Sequence, residues 1–378
     1  MEAKSPAPAR ITIIGPEPPP FGGASVHVIR LAGLMRRLGH EVTVIPYTGY
    51  LERGAAGKLG RALCQWLDAA DKLSAAPADL VHFHYAHLPS LISLAPWIGT
   101  HGSRWAVTFH SVHIVDELRR LPPAARGPIV KLLEKFHLLV CVRAEIADTL
   151  AQFGIDSRPV VVMPAFLPPA PSEAAAGRLP ADLLETLDTC RAAGNTSIAC
   201  SAYYLGPGYG RDDVYGVEHL AGLLARLDGT LERPLRLYIM VSHRAGSAEQ
   251  IAALQRLQQL AAGLEQTDIT VRFNEPLIPV LARCDAFVRP SREDGDSVAV
   301  REALALGVPV FASDVVARPS GVALFNLEDS AGAAEKLAAF LRGLPAAANR
   351  DEAETGTDQI DPAHIEFTEQ LLGKEEVK

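Results

Sequence analysis

Residues 10–46 run RITIIGPEPPPFGGASVHVIRLAGLMRRLGHEVTVIP. The opening 10–14 is short and rich in β-branched residues, the pattern of a buried strand. Residues 15–23 form a turn dense in proline and glycine. Across 24–38, Val26, Ile29, Leu34 and Leu38 recur near helical spacing, and Gly39 stops that helix. The alternation of 41–46 is that of a second strand. Strand, glycine loop, helix and strand in this order make a parallel βαβ unit, because parallel neighbours need a crossover.

The same alternation continues on both sides of a break. Strands are expected at 80–84, 106–110, 138–142 and 160–163, with helical stretches between them. Residues 164–180 then hold five prolines and an alanine run without periodicity, which marks a linker. Beyond it, strands are expected at 197–202, 235–241, 269–273, 286–289 and 309–312. Helices are expected at 216–227, 248–262, 277–283 and 297–306. Such alternation implies parallel sheets covered on both faces. The expected fold class is therefore α/β, with two tandem doubly wound, Rossmann-like domains facing a cleft. The expected division is an N-terminal domain over 1–163, a linker and first helix over 164–195, a C-terminal domain over 196–342 and an acidic tail over 343–378. Within the tail, 364–372 reads either as a returning helix or as solvated chain. Doubly wound sheets hold ligands beyond the carboxyl ends of their strands, so candidate residues are sought there.

The chain has 378 residues, 48% of them hydrophobic, enough for two buried cores. No apolar run approaches the roughly 20 residues of a membrane span. Residues 1–10 lack the apolar core of a secretory signal, so a short solvated leader and a cytoplasmic location are expected. Cys64, Cys141, Cys190, Cys200 and Cys284 are scattered and odd in number, which argues against a disulfide framework or a structural zinc and for buried small side chains. The formal net charge is −8 and is unevenly placed. Residues 1–165 carry 17 Lys+Arg against 13 Asp+Glu, and the remainder 19 against 31. An acidic whole argues against nucleic acid as the partner. The basic first part suits an anionic surface or an acidic substrate, with ordinary uneven solvation as the alternative.

Gly22 and Gly23 sit in the first turn, where adjacent glycines let backbone N–H groups approach a ligand at a phosphate-favouring helix N-terminus. The turn lacks the spacing of a dinucleotide fingerprint and the Lys-Ser/Thr ending of a P-loop, so a plain tight turn stays open. His82 and His84 lie on one side of a strand, His87 follows in the loop, and His110 and His113 cap the next strand. No carboxylate or thiolate stands at ligand spacing among them, so no metal is expected. His110, at a carboxyl strand end, is a candidate contact for a polar substrate, or a histidine satisfied within its loop. Residues 289–314 read RPSREDGDSVAVREALALGVPVFASD. A strand ends near Pro290, an acidic loop follows, and a helix starts near Ser297 and stops at Gly307. This aims the amides of Ser297, Val298 and Ala299 as an anion site would, with Asp294 before the helix and Glu302 inside it. Acids complementing the helix dipole explain Asp294 and Asp296, but not Glu302 in an otherwise apolar helix.

Taken together, the chain resembles a family 4 retaining glycosyltransferase of the glycosyltransferase B fold. The resemblance rests on Pro18–Gly23 with its helix, Gly39-His40-Glu41-Val42, 79–84 (DLVHFH), 107–110 (VTFH), 162–166 (VMPAF) and, most specifically, 294–314. These segments run in the family's order from residue 11 to about 325. The resemblance implies an acceptor-side first domain and a nucleotide-sugar second domain. Gly22 and Gly23 would border the donor diphosphate and the acceptor, and His110 would meet the transferred sugar. Ser297 and Val298 would offer backbone amides to the phosphates. Asp294 would take the first place of the family's Glu-(seven residues)-Glu motif, on sugar hydroxyls, and Glu302 the second, on the ribose. The family needs no metal and no cofactor besides the nucleotide-diphosphate sugar. The function implied is retaining transfer of a hexose-type sugar to a glycan or lipid-linked acceptor, in surface polysaccharide or glycoconjugate synthesis.

The chain departs from the family at several positions. Asp294 stands for Glu, and Asp296-Ser297 for Phe-Gly. Ser201-Ala-Tyr-Tyr204 stands where a Gly-Arg pair is expected, and Tyr215-Gly216-Val-Glu218 where a Lys-Gly is expected. Each lost cation removes a charge-assisted bond of about 1.5–3 kcal/mol. Arg211 and Arg244 are the candidate replacements on the donor. Arg30, Arg36, Arg37, Arg119, Arg120, Arg126, Lys131 and Lys135 make an anionic inner membrane face a candidate partner, against ordinary solvated helices. Two rivals remain at this point. One is a nucleotide-sugar epimerase on the same fold, whose extra acid/base pair is not apparent. The other is a non-catalytic binding partner, for which Tyr204 and Tyr215 speak.

Overall fold

The computed structural model describes residues 8–46, 57–75, 78–100, 102–111, 113–155, 158–175, 178–207, 212–243, 246–294, 297–344 and 361–374. The first sheet contains β1 (Arg10–Gly15), β2 (Glu41–Pro46), β3 (Leu80–His84), β4 (Arg104–Phe109), β5 (Leu138–Cys141) and β6 (Val160–Val162). Its order is β2-β1-β3-β4-β5-β6, all parallel. Around it lie α1 (Gly23–Arg37), α2 (Gly57–Ala75), α3 (Leu88–Leu94), α4 (His113–Arg120), α5 (Pro123–Leu133) and α6 (Ala144–Gln152). The second sheet contains β7 (Thr196–Ala202), β8 (Leu235–Val241), β9 (Thr267–Phe273), β10 (Ala286–Arg289), β11 (Val310–Ser313) and β12 (Val322–Phe325). Its order is β12-β11-β10-β7-β8-β9, again all parallel. Its helices are α7 (Ala181–Ala192), α8 (Val217–Leu227), α9 (Ala248–Ala261), α10 (Ile278–Leu281), α11 (Val298–Ala305) and α12 (Ser330–Arg342). The chain's last described helix is α13 (Pro362–Leu372).

Both sheets follow from the apolar runs. Every residue of β3 and β10 is buried, as required of strands covered on two faces. The edge strand β12 lacks that signature, since Leu324 is exposed and Val322 and Ala323 are only half-buried, and periodicity alone does not reveal it. Cys141, Cys190, Cys200 and Cys284 are buried thiols, while the side chain of Cys64 lies outside the described residues. No described helix is long and apolar enough to cross a membrane.

Gly23 opens α1, and Gly15 at the end of β1 leaves room for that helix. A Cβ there would come within 2.8 Å of Val28 Cγ2 and 3.2 Å of His84 Cβ. The described residues form two units. Those up to Pro19, Gly23–Leu167 and α13 make the first, and Pro20–Gly22 with Pro168 onward through α12 make the second. Helix α13 belongs to the first because Phe367 and Leu371 join a core with Ile11, Ile13, Leu31 and Ala106. Arg104 Nε also donates to the Leu371 carbonyl at 3.3 Å.

Candidate functional site

In the second sheet the chain leaves β7 for β8 and β9, then returns on the other side of β7 with β10. The reversal of order lies between β7 and β10, and doubly wound sheets hold ligands at such a point. Arg289, the last residue of β10, crosses it. Its Nη1 donates to the Ser201 carbonyl of β7 at 2.8 Å, and its Nε and Nη2 each donate to Asp294 at 2.9 Å. Arg318 Nη1 donates to the same carboxylate at 2.7 Å, and Ser291 Oγ at 3.0 Å. The three charged side chains are 9%, 6% and 2% exposed, in the order Arg289, Asp294, Arg318. Burial alone would raise the Asp294 carboxyl, but Arg289 and then Arg318 outweigh it and hold it at about 2. Two guanidinium groups on one carboxylate leave a net positive charge beside the loop that enters α11.

The two helices that follow these strands start differently. At α8, Asp213 accepts from the amides of Val217 at 3.0 Å and His219 at 3.1 Å, so a carboxylate of the chain already occupies that end. Burial pushes the Asp213 carboxyl up despite those amides. At α11, Ser297 holds the N-cap position in an extended conformation, yet its side chain makes no capping bond. Its carbonyl accepts from Val300 at 3.1 Å and Arg301 at 3.3 Å, while the first amides of any helix lack an acceptor within it. Glu302 lies buried inside α11, at 4% exposure.

In the first sheet the order reverses between β1 and β3, whose last residues are Gly15 and His84. His84 Nδ1 stands 2.9 Å from His110 Nε2. His27, from α1, completes a triangle, with ring centres 5.3 Å from His84 and 5.1 Å from His110. His27 Nδ1 lies 2.6 Å from the Ala165 carbonyl, which can only accept, so that nitrogen carries the proton. His82 Nε2 lies 2.7 Å from Thr108 Oγ1. Burial brings the His27 imidazole down to about 4 and that of His82 to about 3, and takes His84 and His110 well below 6.5. All four rings are therefore neutral at pH 7. The other two histidines of the sequence reading do not join them. His87 accepts from the Ser90 amide at 3.0 Å and caps α3, and His113 faces Glu117 at 3.6 Å.

Two family models match the chain in turn: Glycosyltransferase Family 4 over residues 21–170 and Glycosyl transferases group 1 over 211–343. The chain is a family 4 glycosyltransferase of the GT-B fold. No curated protein matches its sequence. Solved structures do match its fold. The catalytic domain of starch synthase IV from Arabidopsis thaliana, bound to ADP and acarbose, is 14% identical, with 97% of this chain and 99% of that one covered at a TM-score of 0.66. Sucrose-phosphate synthase from Thermosynechococcus elongatus is 16% identical, with 91% of each chain covered and a TM-score of 0.60. Anabaena HepE in complex with UDP-glucose is 15% identical, with 97% and 99% covered and a TM-score of 0.58.

In this glycosyltransferase, Arg289 contacts both segments where the sequence reading expected the family's cations. It holds the Ser201 carbonyl, and its guanidinium carbon lies 5.2 Å from the centre of the Tyr215 ring. Tyr204 meets Tyr215 edge-on, with centres 5.3 Å apart. Arg211 and Arg244 lie outside the described residues, as does Asp296. Gly23 opens α1, whereas Gly22 packs with the second unit, where a Cβ would come within 3.1 Å of the Tyr203 ring. Phe21, beside it, accepts from Ser242 Oγ through its carbonyl. Sequence reading missed Arg289, Arg318 and His27. The first two resemble a strand terminus and a loop cation, and the only signal for His27 is its i, i+4, i+7 alignment with the buried Leu31 and Leu34.

Proposed function

We propose that this enzyme moves a hexose-type sugar from a nucleotide-diphosphate donor to a glycan or lipid-linked acceptor, with retention at the anomeric carbon, in surface polysaccharide or glycoconjugate synthesis. One observation carries the reading: α11, whose N-cap Ser297 makes no side-chain capping bond, begins beside the net-positive Arg289–Asp294–Arg318 cluster, where the order of the sheet reverses. As the bond from the anomeric carbon to the diphosphate breaks, charge grows on the leaving oxygens. Fixed amides of Ser297 and Val298 and buried guanidinium charge stabilise it without reorganising. Glu302 accepts from ribose hydroxyls, Asp294 meets the sugar hydroxyls while fixing both arginines, and His110 meets the transferred sugar. The acceptor oxygen attacks from the face the diphosphate leaves, and a phosphate oxygen takes its proton, so the transfer step uses neither a protein nucleophile nor a metal.

The same proposal includes a cytoplasmic location, with the inner face of a membrane as a partner. Arg119, Arg120, Lys131 and Lys135 are exposed and suit anionic lipid, whereas Arg30 is buried on the Leu167 carbonyl and takes no part. Vesicle co-sedimentation that ignores anionic lipid and salt removes the membrane from this reading.

Thermal-shift titration with UDP-glucose, UDP-galactose and GDP-mannose tests the donor. At least one is expected to raise the melting midpoint, and candidate acceptors are expected to release its nucleotide. Glu302→Gln is expected to weaken that donor about 10- to 150-fold, the loss of one hydrogen bond to a charged group at about 1.5–3 kcal/mol. A panel without any shift ends the proposal. A second reading, a module that binds a donor without cleaving it, is favoured by the Tyr215 ring stacked on Arg289. It predicts the shift without nucleotide release.

A further inference from the structure

We propose that His84 is a positioning residue for the transfer step: its hydrogen bond engages one nitrogen of the His110 ring and leaves the other, Nδ1, for the transferred sugar. The proposal rests on the reading that His110 meets that sugar. His84 ends β3 and is fully buried, whereas His110 follows β4 and is only partly so.

Strand pairing brings the two rings together. β3 and β4 are parallel neighbours with His84 in register with Thr108. Side chains alternate along a strand, so His82, His84, Thr108 and, one step past the end of β4, His110 share one side of the sheet. The contacts His82 Nε2 to Thr108 Oγ1 at 2.7 Å and His84 Nδ1 to His110 Nε2 at 2.9 Å are successive rungs on that side.

The upper rung has the geometry of a hydrogen-bonded imidazole pair, since the ring planes differ by only 21° and the facing nitrogens lie within bonding range. A neutral imidazole carries one N–H and one lone pair, so one ring donates and the other accepts. Burial keeps both rings neutral, which preserves that match. With Nε2 of His110 committed, Nδ1 is the nitrogen through which His110 reaches a sugar hydroxyl. The His84 ring is itself held from several sides. The ring centre of His82 lies 4.5 Å away and that of His27 5.3 Å away. Gly15 closes another side, where a Cβ would stand 3.2 Å from His84 Cβ and 3.3 Å from its Cδ2. Such fixation matters because a misplacement of about 1 Å at a reacting centre costs about 100-fold in rate. Nucleotide and diphosphate are assigned to α11, so His84 bears on kcat rather than on donor affinity.

The test replaces His84 in the full-length enzyme by Asn, which keeps a hydrogen-bonding atom where Nδ1 stood, and by Leu, which keeps the volume without one. The donor is whichever of UDP-glucose, UDP-galactose and GDP-mannose raises the melting midpoint, and its nucleotide release gives kcat and KM. His84→Leu is expected to lower kcat by about 30- to 100-fold with the donor KM changed by less than about twofold, and His84→Asn to recover at least about tenfold of the loss. Packing alone predicts the reverse order, because Leu fills the site better than Asn. In a His110→Ala background, His84→Leu is expected to cost less than about twofold more, since both substitutions then remove one interaction. Imidazole 15N spectra need no donor. They are expected to show one fixed His110 tautomer in the wild type and in His84→Asn, and tautomer-averaged shifts in His84→Leu. Should His84→Leu fail to fold, His84→Gln, whose amide lies beyond the Nδ1 position, replaces it in every arm. A kcat that His110→Ala leaves intact removes His110 from the sugar, and this proposal falls with that reading. Loss of kcat in His110→Ala but not in His84→Leu, activity of Leu equal to Asn, or a His110 spectrum unmoved by His84→Leu overturns the positioning role alone.

Discussion

Asp294→Ala is expected to destabilise the second unit by about 3–5 kcal/mol, because it strands two buried guanidinium groups. Both Arg289 and Arg318 are nine-tenths or more buried, and both spend their donors on this carboxylate. Arg289 keeps the Ser201 carbonyl and Arg318 keeps the Ser313 carbonyl at 3.1 Å, but neither contact supplies negative charge. Tryptophan fluorescence is the wrong probe, since Trp66, Trp97 and Trp105 all lie in the first unit. Hydrogen exchange of peptides from β10 and α11 reads the right region, and protection unchanged by the substitution sinks the prediction. Replacing all three side chains by apolar ones of similar volume is expected to cost far less, since breaking a buried cluster is worse than never having built it.

The same carboxylate makes the second unit acid-sensitive in a defined window. Its pKa is depressed from 3.8 to about 2, so its contribution is complete above about pH 4 and is lost as the pH falls toward 2. The loss amounts to about 2 kcal/mol, and Asp294→Asn, which cannot titrate, is expected to lack that slope.

Gly216→Ala carries the second-largest expected effect, about 2–4 kcal/mol of destabilisation with at least tenfold weaker donor binding. Gly216 has φ +67°, in the left-handed region, and caps the start of α8. A Cβ there would lie 1.8 Å from the Pro290 carbonyl oxygen and 2.6 Å from its carbon. Backbone cannot swing aside as a side chain does, so the loop from β10 to α11 has to move, and with it Asp294 and the amino end of α11. Circular-dichroism melts and donor titration measure the two effects. A variant with the wild-type midpoint and affinity refutes the reading of Gly216 as the spacer between these loops.

Much of the molecule was legible before any coordinates. The βαβ reading of 10–46 holds at both strands and the helix, because buried parallel strands and the helices over them leave periodic apolar patterns. Asp294, Ser297 and Glu302 stand before, at and inside the start of α11 as expected, because a strand, an acidic loop and a helix start are local signals within one short stretch. Their surroundings were not foreseen. The sequence reading named Arg211 and Arg244 as replacement cations, and both lie outside the described residues; the described cations on Asp294 are Arg289 and Arg318. Of the histidines, His82, His84 and His110 were visible from strand alternation, but His87 and His113 were drawn in by nearness in the chain and serve α3 and Glu117 instead.

By itself, then, the sequence determined the α/β class, the two parallel sheets and the place where α11 starts. Those rest on turn residues and side-chain periods that act over a few neighbours. Only the tertiary structure decided which charges and imidazoles share a pocket. Arg289 reaches Ser201 across 88 residues, Arg318 reaches Asp294 across 24, and His27 reaches Ala165 across 138. Such pairings follow from the order in which strands sit side by side, and no local preference of the chain specifies that order.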